Sequence, residues 1–150
     1  MVSVPTTTAP DIVALAARLR LGVTRLARKL RQEAEPGITP SMLSALSSLE
    51  RFGPLTMGDL GAAEQVSGPT ITRVANALVE AGLVAREPDA KDGRVTWVRV
   101  TPVGAKLLER SRRRKEAYLV KAIRGLDPTE IETLEDAAAI LERLTGGNAS

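Results

Sequence analysis

SGPTITRVANALVEAGLVAREPDAKDGRVTWVRVT, residues 67–101, is the stretch on which the fold turns. Ser67 is a residue type that caps helices, and Ile71, Val74, Ala75 and Leu78 follow at the spacings of one helical face. Gly82 supplies a left-handed stop. Beyond it come two apolar-alternating runs, Leu83 to Glu87 and Val95 to Thr101, around a charged tip containing Asp92-Gly93. That dipeptide between alternating runs is a hairpin signal. The stretch therefore predicts one helix, a strand, a charged tip and a second strand.

Working backwards, Thr56 caps a short segment, MGDLGAAEQ, that Val66 and Ser67 join by a tight turn to the helix after Ser67. Two glycines in so short a helix each cost about 1 kcal/mol relative to alanine, so packing must hold it. Two helices joined this way, the second with small polar residues on its outer N-terminal half, form a helix-turn-helix; a hairpin directly after it makes a winged helix. Leu55 is a one-residue strand stub, and Gly53-Pro54 breaks the chain before it. Thr39-Pro40 starts another helix, running to about Arg51 with Leu43, Leu46 and Leu49 inward.

The flanks are helical. Ile12, Leu15, Leu19, Val23, Leu26 and Leu30 make a stripe from Asp11 to about Ala34, ended by Glu35-Pro36-Gly37. Thr101-Pro102 opens a helix that begins apolar at Val103, Leu107 and Leu108 and then reads ERSRRRKEA, in which nothing suits a core. That segment is expected to be a solvent-bridging strut; its basic cluster, Arg110 to Lys115, reads as a solvated face or a phosphate contact. The arginines of the first helix carry the same two readings. Apolar character returns at Leu119, Val120 and Ile123, and Asp127-Pro128 starts a last helix striped by Ile131, Leu134, Ala138, Leu141 and Leu144. Gly146 onward is expected to fray.

Composition bounds the chemistry. The 150 residues suit one domain, with the winged helix at about 38–101 and flanking helices at about 11–34 and 102–145. Only Phe52, Trp97 and Tyr118 are aromatic, which argues against stacking platforms for single-stranded nucleic acid. Trp97 is expected to pack in the strand core, with a pocket lining as the other reading. With no cysteine and no histidine, thiol chemistry, the commonest general base and the commonest metal ligand are all missing. No phosphate-cradling glycine loop or GxSxG turn appears either. No enzyme, no cofactor and no metal site is expected. MVSVPTTTAP lacks the basic start and apolar run of a signal peptide, and no apolar stretch reaches membrane-spanning length, so a cytoplasmic protein is expected.

Net charge is +3, unevenly spread: residues 1–126 carry +8 and residues 127–150 carry −5. A basic body suits a polyanion. Arginine outnumbers lysine 16 to 5, which favours bidentate phosphate contact, though codon bias accounts for it equally well.

Over essentially its whole length the chain resembles the MarR family of bacterial transcription regulators. LGAAEQVSGPTITRVANALVEAGLV is similar to that family's helix-turn-helix, and DAKDGRVTWVRVTPVG to its wing and the start of the following helix. Asp92, Arg94, Thr101 and Gly104 fill the family's wing pattern; Val100 stands for its usual leucine and Gly61 for its usual alanine. The resemblance implies a mainly α fold, a winged helix-turn-helix with N- and C-terminal dimerisation helices. It further implies a homodimer reading a near-palindromic site on double-stranded DNA. The terminal stripes support this independently, because one chain offers no second layer to bury both, and Ile12, Leu15, Leu19, Ile123, Ile131, Leu134 and Leu141 are the candidate interface.

Roles follow from residue chemistry. Thr70, Thr72, Arg73 and Asn76 are candidates for base edges, Arg73 to guanine and Asn76 to adenine. Ser67 is expected to cap its helix and meet phosphate. Lys91 and Arg94 lie on the wing, with Arg94 entering the minor groove and Asp92 orienting it. The plainer reading of Asp92 and Arg94 is an exposed hairpin pair worth about 0–1 kcal/mol. The resemblance also implies a small-molecule effector between the dimerisation helices and the winged-helix lobe, releasing a repressor from DNA. The alternative is a winged helix used for protein contact without DNA specificity.

Overall fold

A computed structural model describes residues 9–147. The readings for residues 1–8 and beyond residue 147 lie outside them. The order is α1 (Ile12–Gln32), α2 (Pro40–Phe52), β1 (Leu55–Thr56), α3 (Met57–Glu64), α4 (Gly68–Glu80), β2 (Val84–Pro88), β3 (Thr96–Val100), α5 (Pro102–Arg124) and α6 (Pro128–Leu144). The fold is mainly α with a small antiparallel sheet ordered β1-β3-β2.

Each helix starts where its sequence offers a cap. The side chains of Asp11, Thr39, Thr56, Ser67, Thr101 and Asp127 accept the first free backbone N–H groups of the six helices. Asp127 and Glu130 form a reciprocal capping box. At the other end of α6, Gly146 turns left-handed and the Gly147 N–H reaches the Glu142 carbonyl at 2.9 Å. These two glycines finish the helix, where the sequence suggests fraying.

The core is aliphatic and lies between α2, α3, α4, the sheet and the first turns of α5. Leu46, Leu60, Leu78, Leu108 and Val98 are its largest fully enclosed side chains, each leucine worth about 1.5–3 kcal/mol of burial. Phe52 and Trp97 stay out of it. Ser111 is buried beside Leu107 and Leu108, so α5 packs one turn further than its polar spelling suggests; a small side chain three and four residues on shares their face. The arginines around it are not simply solvated. Arg110 pairs with Glu35 at 2.6 Å, Arg112 with Glu50, and Arg113 with Glu109, so two of them tie α5 to the α1–α2 loop and to α2.

α1 and α6 bury no residue at all, and their apolar stripes lie open: Leu15, Leu19, Leu134 and Leu141 are each more than a third exposed. No described helix is long and apolar enough to cross a membrane.

Candidate nucleic-acid interface

The turn into α4 is made by Gln65, Val66 and Ser67. Gln65 ends α3 in the left-handed conformation at φ 56°, letting the chain reverse within three residues. α3 and α4 approach closely at Gly61, where an added Cβ would sit 3.3 Å from Ile71 Cγ2. Ile71, Ala75 and Leu78 are buried, which rolls Thr72, Arg73 and Asn76 outward. Thr70 is half-buried, and its hydroxyl accepts a hydrogen bond from Ser67 at 2.9 Å. The Ser67 oxygen also accepts from the Thr70 backbone N–H, so the cap is made as its sequence suggests.

The hairpin places the second cluster. β2 pairs with β3 in the register Val84↔Val100, Arg86↔Val98 and Pro88↔Thr96. The loop between them, residues 89–95, is longer than a two-residue Asp-Gly turn, and Gly93 is not left-handed. Instead the Val95 N–H returns to the Asp92 carbonyl at 3.0 Å, and the Asp92 carboxylate accepts the Arg94 backbone N–H at 3.1 Å. Asp92 is thus an Asx-type turn former as well as a partner of the Arg94 guanidinium, at 3.1 Å from Nε and 3.5 Å from an Nη. The Arg94 side chain is 92% exposed at the wing tip, next to exposed Lys91. Hydrogen bonds from the Arg94 side chain and backbone hold the Asp92 carboxyl below its ordinary range.

Residue-type reasoning missed the organiser of this tip. Asp89 accepts the Trp97 indole N–H at 2.9 Å on one oxygen and the backbone N–H groups of Lys91 and Asp92, both at 3.1 Å, on the other. Those bonds, the indole's first, lower its pKa. Trp97 is therefore a wing residue at 38% exposure, neither core nor pocket. A Pro-Asp pair opening a loop was the available signal, since Asp closes such turns through its side chain.

The wing's root is welded to α5. The Thr101 hydroxyl donates to the Gly82 carbonyl at 2.7 Å and accepts the Gly104 N–H at 3.2 Å, while the Thr101 N–H reaches Leu83. Gly104 lies so close to the Leu83 carbonyl that no Cβ fits. A third exposed contact joins helix to wing: an Arg86 Nη donates to the Asn76 side-chain oxygen at 2.6 Å. The outer face of α4 is thus joined to the β2 strand of the wing through a contact rich in hydrogen-bond donors. Among the described residues no cluster of carboxylates could hold a metal.

A sequence profile of the MarR family matches residues 37–95. An uncharacterized HTH-type transcriptional regulator of Mycobacterium leprae is 38% identical over 87% of this chain and 92% of its own length. The HTH-type transcriptional repressor MdtR of Bacillus subtilis is 27% identical over 79% of each chain. Among solved structures, a transcriptional regulator protein from Pseudomonas aeruginosa superposes with a TM-score of 0.80 at 33% identity, covering 91% of this chain and 98% of that one.

Proposed function

The chain belongs to the MarR family of winged helix-turn-helix transcriptional regulators, and from that premise we propose a homodimeric repressor that reads a near-palindromic site on double-stranded DNA and is released by a small molecule. The observation that carries the reading is the wing tip: Arg94 is almost fully exposed yet oriented through two nitrogens by Asp92. An aimed, solvent-facing guanidinium suits the negative potential of a minor groove. Thr72 and Arg73 on the outer face of α4 are then the base readers, with Ser67 and Lys91 on phosphate.

The open stripes of α1 and α6 support the dimer. A second copy is the partner whose complementarity is written in the chain: α1 carries six basic residues and no acidic one, whereas α6 carries five acidic residues and one basic. Across a two-fold axis each can meet the other twice. Ile12, Leu15, Leu19, Ile131, Leu134 and Leu141 are exposed and available, and Ile123 is half-buried. The two recognition helices would then lie about 34–36 Å apart, one turn of DNA. Repression is supported by the MdtR likeness. For the effector, a cleft of about 690 Å³ lies between the end of α1 and α5, lined by Arg114, Tyr118 and Lys121 among others. Glu33 also lines it, so the two cations and the ring of Tyr118 suit an aromatic acid whose carboxylate sits on the α5 side, away from Glu33.

The test starts with binding-site selection from random duplex DNA. Affinity for the selected duplex should fall by orders of magnitude between low and high salt. A flat salt response would favour the protein-contact reading. Arg94→Ala should lose roughly ten- to hundredfold in affinity with the dimer intact, and unchanged affinity would remove the wing's role. Titrating aromatic carboxylic acids into the complex then tests release.

A further inference from the structure

The contact between Arg86 and Asn76 has a chemistry of its own. Val84 and Val98 on the core-facing side of the hairpin are buried, and Arg86, two residues along from Val84 and opposite Val98, shares that side. It emerges where the ribbon leaves the core and so faces α4. Glu87 and Arg99 lie on the other side and pair with each other at 2.6 Å. Arg86 has no carboxylate partner among the described residues; its side-chain bond goes to Asn76 Oδ1 at 2.6 Å. A guanidinium has no acceptor, so it is the amide oxygen that faces it, and the amide NH₂ of Asn76 points away. Reading adenine requires an asparagine to present its oxygen and its nitrogen together. With the oxygen engaged, this pair presents donors only: the NH₂ of Asn76 and the remaining N–H groups of Arg86.

We propose that Arg86 and Asn76 form a phosphodiester-binding site that clamps the DNA backbone between the two grooves the protein enters. This rests on the DNA-binding reading above. With α4 in a major groove and the wing in the adjacent minor groove, the strand separating them runs over the junction of α4 and β2, where this pair sits. A cluster of exposed donors without a neutralising carboxylate suits an anion there. Asn76 is then a positioning residue for Arg86 and a phosphate ligand, and the base-reading face of α4 ends at Arg73.

The experiment measures affinity of the full-length protein for the selected duplex across a salt series. Arg86→Ala should weaken binding about tenfold and reduce the salt slope by about 1, equally for the selected duplex and for a panel with single base-pair changes. Asn76→Asp keeps an acceptor for Arg86 but replaces the outward NH₂ by negative charge, and should lose more than Asn76→Ala. Neutralising one backbone position with a methylphosphonate should abolish the difference between wild type and Arg86→Ala. Relaxed specificity at one base pair in Asn76→Ala, or an unchanged salt slope in Arg86→Ala, overturns the clamp while leaving DNA binding in place. A wild-type protein without salt-dependent duplex binding overturns both.

Discussion

At Gly104 a Cβ would overlap the Leu83 carbonyl oxygen and meet Val100 Cγ1 at 3.0 Å, whereas at Gly93 nothing lies within 4 Å. The two glycines therefore answer differently to the same substitution. Gly104→Ala should cost about 2–3 kcal/mol in urea unfolding, because neither a carbonyl nor the start of α5 can withdraw. Gly93→Ala should stay within about 0.5 kcal/mol, since the wing loop is not the left-handed turn that Asp-Gly suggests. Asp89 gives the second prediction at this scale. Asp89→Ala frees the Trp97 indole and two backbone N–H groups of the tip. Operator affinity should fall severalfold without loss of a DNA contact, and emission from Trp97, the sole tryptophan, should shift as its ring is released. Unchanged emission would show that Asp89 does not order the tip. Gly104 was visible in the wing pattern, but its reason, a close approach to a carbonyl, exists only once β2 and α5 are packed.

Among the elements, the helix boundaries were the most legible. Ser, Thr and Asp caps, three of them followed directly by proline and one by Gly-Pro, are local chemistry, and the starts of α1, α2, α3, α4, α5 and α6 follow from them. The second half of α5 was less so. Its arginines find Glu35 and Glu50, residues far away in the chain, and only packing brings those pairs together. The Glu35–Arg110 pair makes a pH prediction. The Arg110 hydrogen bond lowers the folded pKa of Glu35 below its ordinary value, outweighing the opposing effect of burial. Its stabilisation is therefore fully present above the unfolded value of about 4.3 and is lost as pH falls through the lower folded value. Both partners are partly exposed, so the effect is small. Glu35→Gln should lower Tm by about 1–3 °C at pH 7, and the gap to wild type should narrow as pH falls below the unfolded value of about 4.3. A gap that persists in acid would mean that the pair contributes by packing rather than charge.

For the whole molecule, the central fact is that two helices with apolar stripes bury no residue in their own chain and leave most of those stripes open. Leu15 and Leu134 are 47% and 44% exposed, each beside charges of sign opposite to those on the other helix. The double substitution Leu15→Glu with Leu134→Glu should give a monomer by sedimentation, with the winged-helix lobe still folded because neither residue touches its core. Operator affinity should then fall by about a hundredfold or more, since the second half-site is no longer bound intramolecularly. A dimer that survives would move the interface elsewhere. Raising salt should weaken a dimer joined by α1 and α6 more than one joined by apolar contacts alone.

Read alone, the chain determined its caps, its helical stripes, its hairpin and, through the wing pattern, its family, because each depends on residues close together in sequence. Charge segregation and the missing histidine and cysteine bounded the chemistry in the same way. What only the tertiary structure decided depends on residues that meet across space. Asp89 became the organiser of the wing, Ser111 entered the core, and Gly104 was left without room for a side chain. Asn76 gave its oxygen to Arg86. Periodicity reports which face of an element is buried, but not what the opposite face touches, and for a recognition helix that opposite face carries the function.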